Sequence, residues 1–155
     1  MKNLKKKLRV LLVVLIVLGA AVGYDFYRSK QVILKVTSVT PEIVEASSSS
    51  RATIRVTAQY RNGKPVVGHN LYALNYGGGS WDSFYAKTDE NGVATFTYFS
   101  YDLPEYQKPR DVHIKIRDES NSVFVEMYPT VEYTIKHKRA ENQGNSGDNV
   151  EDFFD

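Results

Sequence analysis

Two turns rich in glycine and asparagine, each beside a run of alternating apolar and polar residues, constrain this chain most strongly. The first turn, at residues 62–63, follows the cleanest alternation in the sequence, over residues 53–60. The second, at residues 89–92, precedes a run of β-branched and aromatic residues at 93–99. An alternation of period two is typical of a half-buried antiparallel strand, and Asn–Gly supplies the positive φ of a tight turn. The sequence therefore predicts β-hairpins.

The same pattern of short strands and turn residues continues through most of the chain. No segment after residue 30 has the 3.6-residue period of a helix. About seven short strands at regular spacing predict an all-β antiparallel sandwich over residues 31–138. The segments predicted to be extended are 31–39, 53–60, 71–76, 84–88, 93–99, 111–117, 123–128 and 130–136.

Four sequence pieces resemble a known family when they are taken in order. They are Thr-Pro followed by Val and Ala at 40–46, NGKPVVG at 62–68, GGGS at 77–80 and TDENGVAT at 88–95. Together, over residues 32–136, they resemble bacterial immunoglobulin-like (Big-1) domains of the invasin and intimin type. The resemblance implies an immunoglobulin-like β-sandwich exported to a bacterial envelope. It also implies a spacer or binding module without catalytic residues.

The N-terminal segment predicts contact with a membrane. Residues 1–9 are basic, and residues 10–23 form an unbroken run of apolar and small residues, followed by Tyr24, Phe26 and Tyr27. We favour a transmembrane anchor at 10–27, because the aromatic residues are typical of a membrane interface. The positive-inside rule then places the N-terminus in the cytoplasm and the sandwich outside, as a single-pass cell-membrane protein.

A cleaved signal sequence is the alternative for residues 10–27. Such a sequence has a basic start, a short apolar run and small residues before the cleavage site, which Gly19 and Ala21 could provide. The protein would be secreted if residues 1–21 were removed. Both interpretations predict that the rest of the chain is exported.

Charge and cysteine content exclude several functions. The formal net charge is +2 and the middle of the chain is nearly balanced, which argues against nucleic acid as a partner. The sequence has no cysteine, so disulfides, a lipid anchor on cysteine and thiolate sites are all excluded. Residues 139–155 are acidic and predicted to be disordered, and Phe153 and Phe154 within them form a candidate partner-docking motif.

No residue pattern predicts catalysis, a metal or a cofactor. His69, His113 and His137 lack the spacing of a metal site, and no serine lies in a nucleophile elbow. The acidic pairs 89–90 and 118–119 fall in predicted turns, where we expect them to be solvated. The turn at 89–92 resembles the start of a calcium loop but lacks the downstream ligands. We therefore expect a protein that is not an enzyme.

Aromatic residues near the glycine-rich segment form the candidate ligand-binding site. Trp81, Phe84 and Tyr85 follow three glycines, and Tyr101 and Tyr106 lie in a later proline-containing loop. Exposed aromatic side chains can anchor a protein partner or stack on a sugar ring. Protein–protein interaction or structural support is the function we favour, and a cell-surface carbohydrate-binding module is the alternative. Trp81 could instead close one end of the core.

Overall fold

An exposed apolar helix and a two-sheet β-sandwich form residues 2–140, the part of the chain that this computed structural model describes. The helix, α1 (Lys2–Ser29), has 28 residues and is therefore about 42 Å long at 1.5 Å per residue. Its large apolar side chains at positions 8–22 are 41–64% exposed. By length and composition this helix could cross a membrane.

The sandwich contains nine strands rather than the expected seven or so. They are β1 (Val32–Thr40), β2 (Ile43–Glu45), β3 (Arg51–Tyr60), β4 (Asn70–Tyr76), β5 (Ser80–Trp81), β6 (Tyr85–Lys87), β7 (Val93–Phe99), β8 (Val112–Asp118) and β9 (Thr130–Lys138). The additional strands, β2 and β5, have three and two residues. Strands this short contain too few residues for an alternation to be visible in the sequence.

The strands form an immunoglobulin-like sandwich. One sheet has the strand order β1-β3-β7-β5, and the other has the order β2-β9-β8-β4-β6. The sheets are antiparallel except that β2 runs parallel to β9. Two sheets with these neighbours, packed around a shared core, define the immunoglobulin-like architecture.

Alternation along the central strands builds the core. In β3 the side chains of Ile54, Val56 and Ala58 are fully buried, as the sequence predicts. Strand β8 contributes its apolar residues at 112, 114 and 116 in the same way, while the intervening side chains point outward. Because a strand places successive side chains on opposite faces, this register leaves every second residue of β8 available on the outer surface.

The two turns identified from the sequence meet at the end of β3. The backbone N–H of Ala58 donates to the carbonyl oxygen of Gly92 (2.8 Å), and the N–H of Val66 donates to the carbonyl oxygen of Ala58 (3.0 Å). Gly92 has a φ of 74°, which is unfavourable for residues with a side chain. The Asp89 carboxylate accepts the N–H groups of Asn91 and Val93 and so closes the turn.

One predicted strand is wrong. Residues 123–128 are not extended against a neighbour but follow a single 3-10 turn, Glu119–Asn121, in the loop between β8 and β9. Strand β8 is already paired on both sides, with β4 and with β9. The apolar composition of residues 123–128 resembles that of a strand. The N–H groups of Val123, Phe124 and Val125 nevertheless donate to the Asp25 carboxylate of α1 and not to a neighbouring strand.

Two sets of hydrogen bonds join α1 and the two residues that follow it to the sandwich. The first is the bond set between Asp25 and the β8–β9 loop. In the second, the Arg61 side-chain Nε donates to the carbonyl oxygen of Lys30 (2.6 Å), and the Arg61 N–H donates to that of Gln31 (2.9 Å). Residues 61–69, 88–92 and 119–129 therefore form the helix-proximal end of the sandwich. The opposite, far end consists of residues 41–50, 77–83 and 100–111.

Candidate interaction surface

Trp81, the first of the predicted ligand-binding residues, lies inside the sandwich. It pairs with Tyr98 across β5 and β7, and its side chain is only 6% exposed. The indole packs edge-on against the rings of Phe96 and Tyr98, with centroid separations of 5.8 and 5.5 Å. This placement corrects the expectation that Trp81 shares an exposed surface with Phe84 and Tyr85, and it agrees with the alternative that Trp81 closes one end of the core. The direction of its side chain follows from pairing with β7, which the local sequence does not reveal.

Phe84 and Tyr85 lie on the outer face of the five-stranded sheet, where they are 47% and 53% exposed. Strand β6 pairs with β4 so that Tyr85 lies opposite Tyr72. The Tyr72 ring is 4.8 Å from the Tyr85 ring and 6.2 Å from the Phe84 ring, measured between centroids. These three side chains form a contiguous exposed aromatic cluster.

Arg117 extends this cluster across the sheet. It is the partner of Tyr72 in the register between β4 and β8, and its guanidinium carbon is 4.9 Å from the ring centroids of both Tyr72 and Tyr128. Two of its nitrogens donate to Glu119 Oε1, at 2.9 and 2.6 Å. We call Tyr72, Phe84, Tyr85, Arg117 and Tyr128 the aromatic–arginine patch. Aromatic and arginine side chains are enriched among the residues that dominate protein–protein binding energy.

Arg117 is charged and Tyr85 is neutral at pH 7, and the Arg117 charge is paired with the Glu119 carboxylate. The hydrogen bonds to Glu119 raise the pKa of Arg117 above its ordinary value, so the guanidinium stays charged. Desolvation, followed by the negative charge of Glu119, raises the pKa of Tyr85. A hydrogen bond from the Tyr85 hydroxyl to the Glu119 side chain contributes to the same shift, so this hydroxyl already has a partner within the protein.

An open groove of about 450 Å³ continues the outer face toward the far end. Its lining includes Tyr76, His113 and Lys115. The His113 Nδ1 is 2.9 Å from the Thr134 hydroxyl, and the Lys115 ammonium is 3.3 Å from a Glu132 carboxylate oxygen. The polar groups of the groove are thus largely paired with one another across β8 and β9.

Tyr101 and Tyr106 are separated from the patch by the length of β8. The Tyr101 hydroxyl donates to the Arg110 carbonyl (2.7 Å) and accepts the Arg110 N–H (2.8 Å), so it organises the far-end loop. Tyr106 is 86% exposed. The five predicted aromatic residues therefore occupy three places: the core, the outer face and the far end. Phe153 and Phe154 lie outside the described residues.

His69 and Asp118 form a pair that the sequence pattern did not indicate. The His69 Nδ1 lies 2.8 Å from Asp118 Oδ2, and Asp118 is fully buried. The expectation that the acids at 118–119 are solvated is therefore wrong for Asp118, because its side chain points inward at the end of β8. Its other carboxylate oxygen accepts the Ser120 N–H. Within residues 2–140, no group of three or more His, Cys, Asp or Glu side chains is placed to hold a metal ion.

The sequence alone does not indicate that Tyr72, Arg117 and Tyr128 belong to the patch. The only local signal was the alternation in β4 and β8, which places Tyr72 and Arg117 on outward faces. Their juxtaposition depends on a pairing between segments that are 45 positions apart, Tyr72 with Arg117. Tyr128 belongs to the predicted strand 123–128, which does not form.

The described residues thus constitute an immunoglobulin-like module attached to an apolar helix. No family model and no curated protein matches the chain. Among solved structures it is similar to the D00-D0 domain of intimin, with 16% sequence identity and a TM-score of 0.46. The similarity covers 66% of this chain and 46% of that chain, so this chain spans less than half of the intimin structure. At this identity no residue role transfers.

Proposed function

We propose that this chain is a single-pass membrane protein whose sandwich acts outside the membrane as a protein-interaction or support module of a bacterial envelope. The observation that carries the proposal is α1, whose large apolar side chains at 8–22 are all at least 41% exposed. Leaving so much apolar surface in water is unfavourable by about 25 cal/mol per Å². A lipid bilayer removes this cost.

The charge flanking α1 supports an orientation with the sandwich outside. Lys5, Lys6, Lys7 and Arg9 lie at the start of the helix, and acidic residues are absent from positions 1–24. Basic residues flanking a span favour the cytoplasmic side. The N-terminus is therefore proposed to be cytoplasmic, with the sandwich on the opposite side.

The aromatic–arginine patch is the surface we propose for a protein partner. It combines exposed rings at Phe84 and Tyr85 with a charged guanidinium at Arg117. The carbohydrate-binding alternative depends on exposed aromatic rings, and the burial of Trp81 removes the largest of them. Protein binding is therefore favoured over glycan binding, and no catalytic role is proposed.

Topology can be tested directly because the natural sequence has no cysteine. Lys5→Cys and Glu90→Cys each introduce one exposed thiol, at the start of α1 and in the turn before β7. In intact cells, with any outer membrane permeabilised, an impermeant maleimide should label Glu90→Cys, and it should label Lys5→Cys only after lysis. Labelling of Lys5→Cys before lysis would contradict the orientation. Intact mass from the membrane fraction reports whether residues 1–21 are removed.

The proposed partner surface can be tested by cross-linking in membranes. Tyr85→Ala should reduce recovery of cross-linked envelope proteins, because it removes an exposed ring from the patch. Tyr60→Ala is the matched control, since Tyr60 is an exposed tyrosine of β3 in the other sheet. Equal recovery from both variants would contradict the assignment of the patch. Loss of binding on a glycan array with Tyr85→Ala would instead favour the carbohydrate alternative.

A further inference from the structure

The loop between β8 and β9 exposes two large apolar side chains beside the helix. Val123 and Phe124 are 56% and 64% exposed. The Phe124 ring packs edge-on against the ring of Tyr24 in α1, with 6.1 Å between centroids. The loop therefore continues the apolar surface of the helix onto the sandwich.

The aromatic residues near the end of α1 indicate where this contact would lie relative to a lipid bilayer. Tyr24, Phe26 and Tyr27 are 50–64% exposed. Tyr27 lies twenty positions after Lys7, a rise of about 30 Å along a helix. With the basic start of α1 at one side of a hydrocarbon core of ~30 Å, these rings reach the other boundary. Arg28 and Lys30 lie over the Tyr24 and Phe26 rings, where cations could meet lipid phosphates.

Asp25 satisfies backbone N–H groups of the β8–β9 loop and so makes the loop compatible with an apolar environment. Its fully buried carboxylate accepts hydrogen bonds from the backbone N–H groups of Val123 (3.2 Å), Phe124 (2.5 Å) and Val125 (2.5 Å). Unpaired backbone groups cannot enter lipid without a cost of several kcal/mol. The same bonds satisfy an acidic side chain that would otherwise be costly near the end of an apolar helix.

We infer that Val123 and Phe124 insert into the lipid interface beside α1 and give the sandwich a second membrane contact. The inference rests on the proposed insertion of α1 and adds a surface to it. In water the loop would leave two large apolar side chains exposed while its backbone donors are turned toward α1. Against lipid both features are favourable. The contact would hold the helix-proximal end of the sandwich against the bilayer.

Fluorescence quenching by brominated lipids tests this contact in the full chain. The protein is reconstituted into phosphatidylethanolamine–phosphatidylglycerol vesicles whose acyl chains carry bromine close to the headgroups. Phe124→Trp introduces a reporter into the loop, and the parent protein gives the baseline from Trp81. Phe26→Trp reports insertion of α1, and Tyr106→Trp reports the far end. Near-ultraviolet circular dichroism confirms that each variant is folded.

We expect Phe124→Trp to lose fluorescence beyond the parent baseline to an extent comparable with Phe26→Trp, and Tyr106→Trp to lose none. Quenching of Phe26→Trp without quenching of Phe124→Trp would overturn the inference and leave the membrane anchor intact. If neither is quenched, the proposed anchor fails and the inference fails with it. Quenching of Tyr106→Trp as strongly as Phe124→Trp would also overturn a contact confined to one end.

The role of Asp25 can be separated from that of the exposed side chains. Asp25→Ala in the Phe124→Trp background removes the acceptor of three backbone N–H groups. We expect the quenching of the loop reporter to fall, while Asp25→Ala in the Phe26→Trp background remains quenched. Unchanged loop quenching would show that the loop reaches lipid without Asp25, which would overturn its assigned role.

Discussion

At the scale of single residues, two glycines show how a turn can tolerate or forbid a side chain. Gly63 and Gly92 have similar positive φ values, 81° and 74°. A Cβ at Gly63 would meet nothing within 4 Å, whereas a Cβ at Gly92 would lie 2.5 Å from the Ala58 carbonyl oxygen. Backbone strain is therefore common to both positions, and steric conflict with β3 is specific to Gly92.

Gly63→Ala should destabilise the protein by about 1–2 kcal/mol, the cost of a left-handed conformation for a residue with a side chain. Gly92→Ala should cost clearly more, because the second turn must also move away from Ala58. Denaturant unfolding of the full chain in detergent, followed by the fluorescence of Trp81, measures both values. Equal losses would contradict the tight docking of the second turn on β3.

At the scale of elements, the outer face of β8 carries two cations with unlike surroundings. Arg117 lies between two tyrosine rings and donates to Glu119, whereas Lys115 forms one exposed ion pair with Glu132. Each cation–π contact is worth about 0.5–1 kcal/mol at exposed sites, and an exposed ion pair about 0–1 kcal/mol. The surroundings of Arg117 are therefore the more stabilising.

Arg117→Ala is accordingly expected to lower the free energy of unfolding by about 1–2 kcal/mol, from two cation–π contacts. Lys115→Ala, two residues earlier on the same face, should lower it by less than about 1 kcal/mol. Thermal unfolding of both variants under identical conditions distinguishes them. A larger loss for Lys115→Ala would argue against the stacked arrangement of Arg117.

The elements also show what could be read from the sequence. Alternation and strand-forming composition predict the long strands β1, β3, β7, β8 and β9, and β3, β7 and β8 bury one face along their length. In β1 the burial of alternate residues ends at Val36, where the register against β3 shifts. The three-residue β2 and two-residue β5 are too short for any period, and they form because longer neighbours offer free edges. Residues 123–128 have strand composition, but a strand also needs a partner, and β8 and β9 are already paired to each other.

The candidate site was less predictable than the fold for a related reason. Phe84 and Tyr85 were identified as candidates from composition alone, and the structure places both on an exposed face. Trp81 differs because its two-residue strand pairs with the opposite sheet. Arg117 joins Tyr72 only through the register of β4 against β8, which is a long-range property. Their proposed binding roles remain predictions.

At the scale of the whole molecule, one half-buried histidine at the far end, His137, links stability to pH. Burial lowers the pKa of His137 from its ordinary value of 6.5, although the Ile135 carbonyl and the Asp111 charge act in the opposite direction. In the unfolded chain the same side chain binds a proton more readily. Protonation therefore favours unfolding.

His137 should contribute stability that is complete above about pH 6.5 and decreases as the pH falls through its lower folded pKa. His137→Gln removes this proton-linked term, so the difference in unfolding free energy between parent and variant should shrink or reverse from pH 7 to pH 5. Denaturant unfolding at several pH values measures that difference. A constant difference would show that His137 does not titrate differently in the two states.

The two attachments between α1 and the sandwich have a further consequence for the proposed anchored protein. The hydrogen bonds of Asp25 and Arg61 restrict the orientation of the sandwich relative to the helix. Each surface of the sandwich would therefore lie at a defined distance from the lipid. A nine-residue strand spans about 30 Å, so Tyr106 would face outward at roughly that height. The aromatic–arginine patch, beside the β8–β9 loop, would remain close to the bilayer. Its partners would then be proteins that also lie at the membrane. The distance of the patch from the bilayer would limit which proteins can reach it, whatever their surface chemistry.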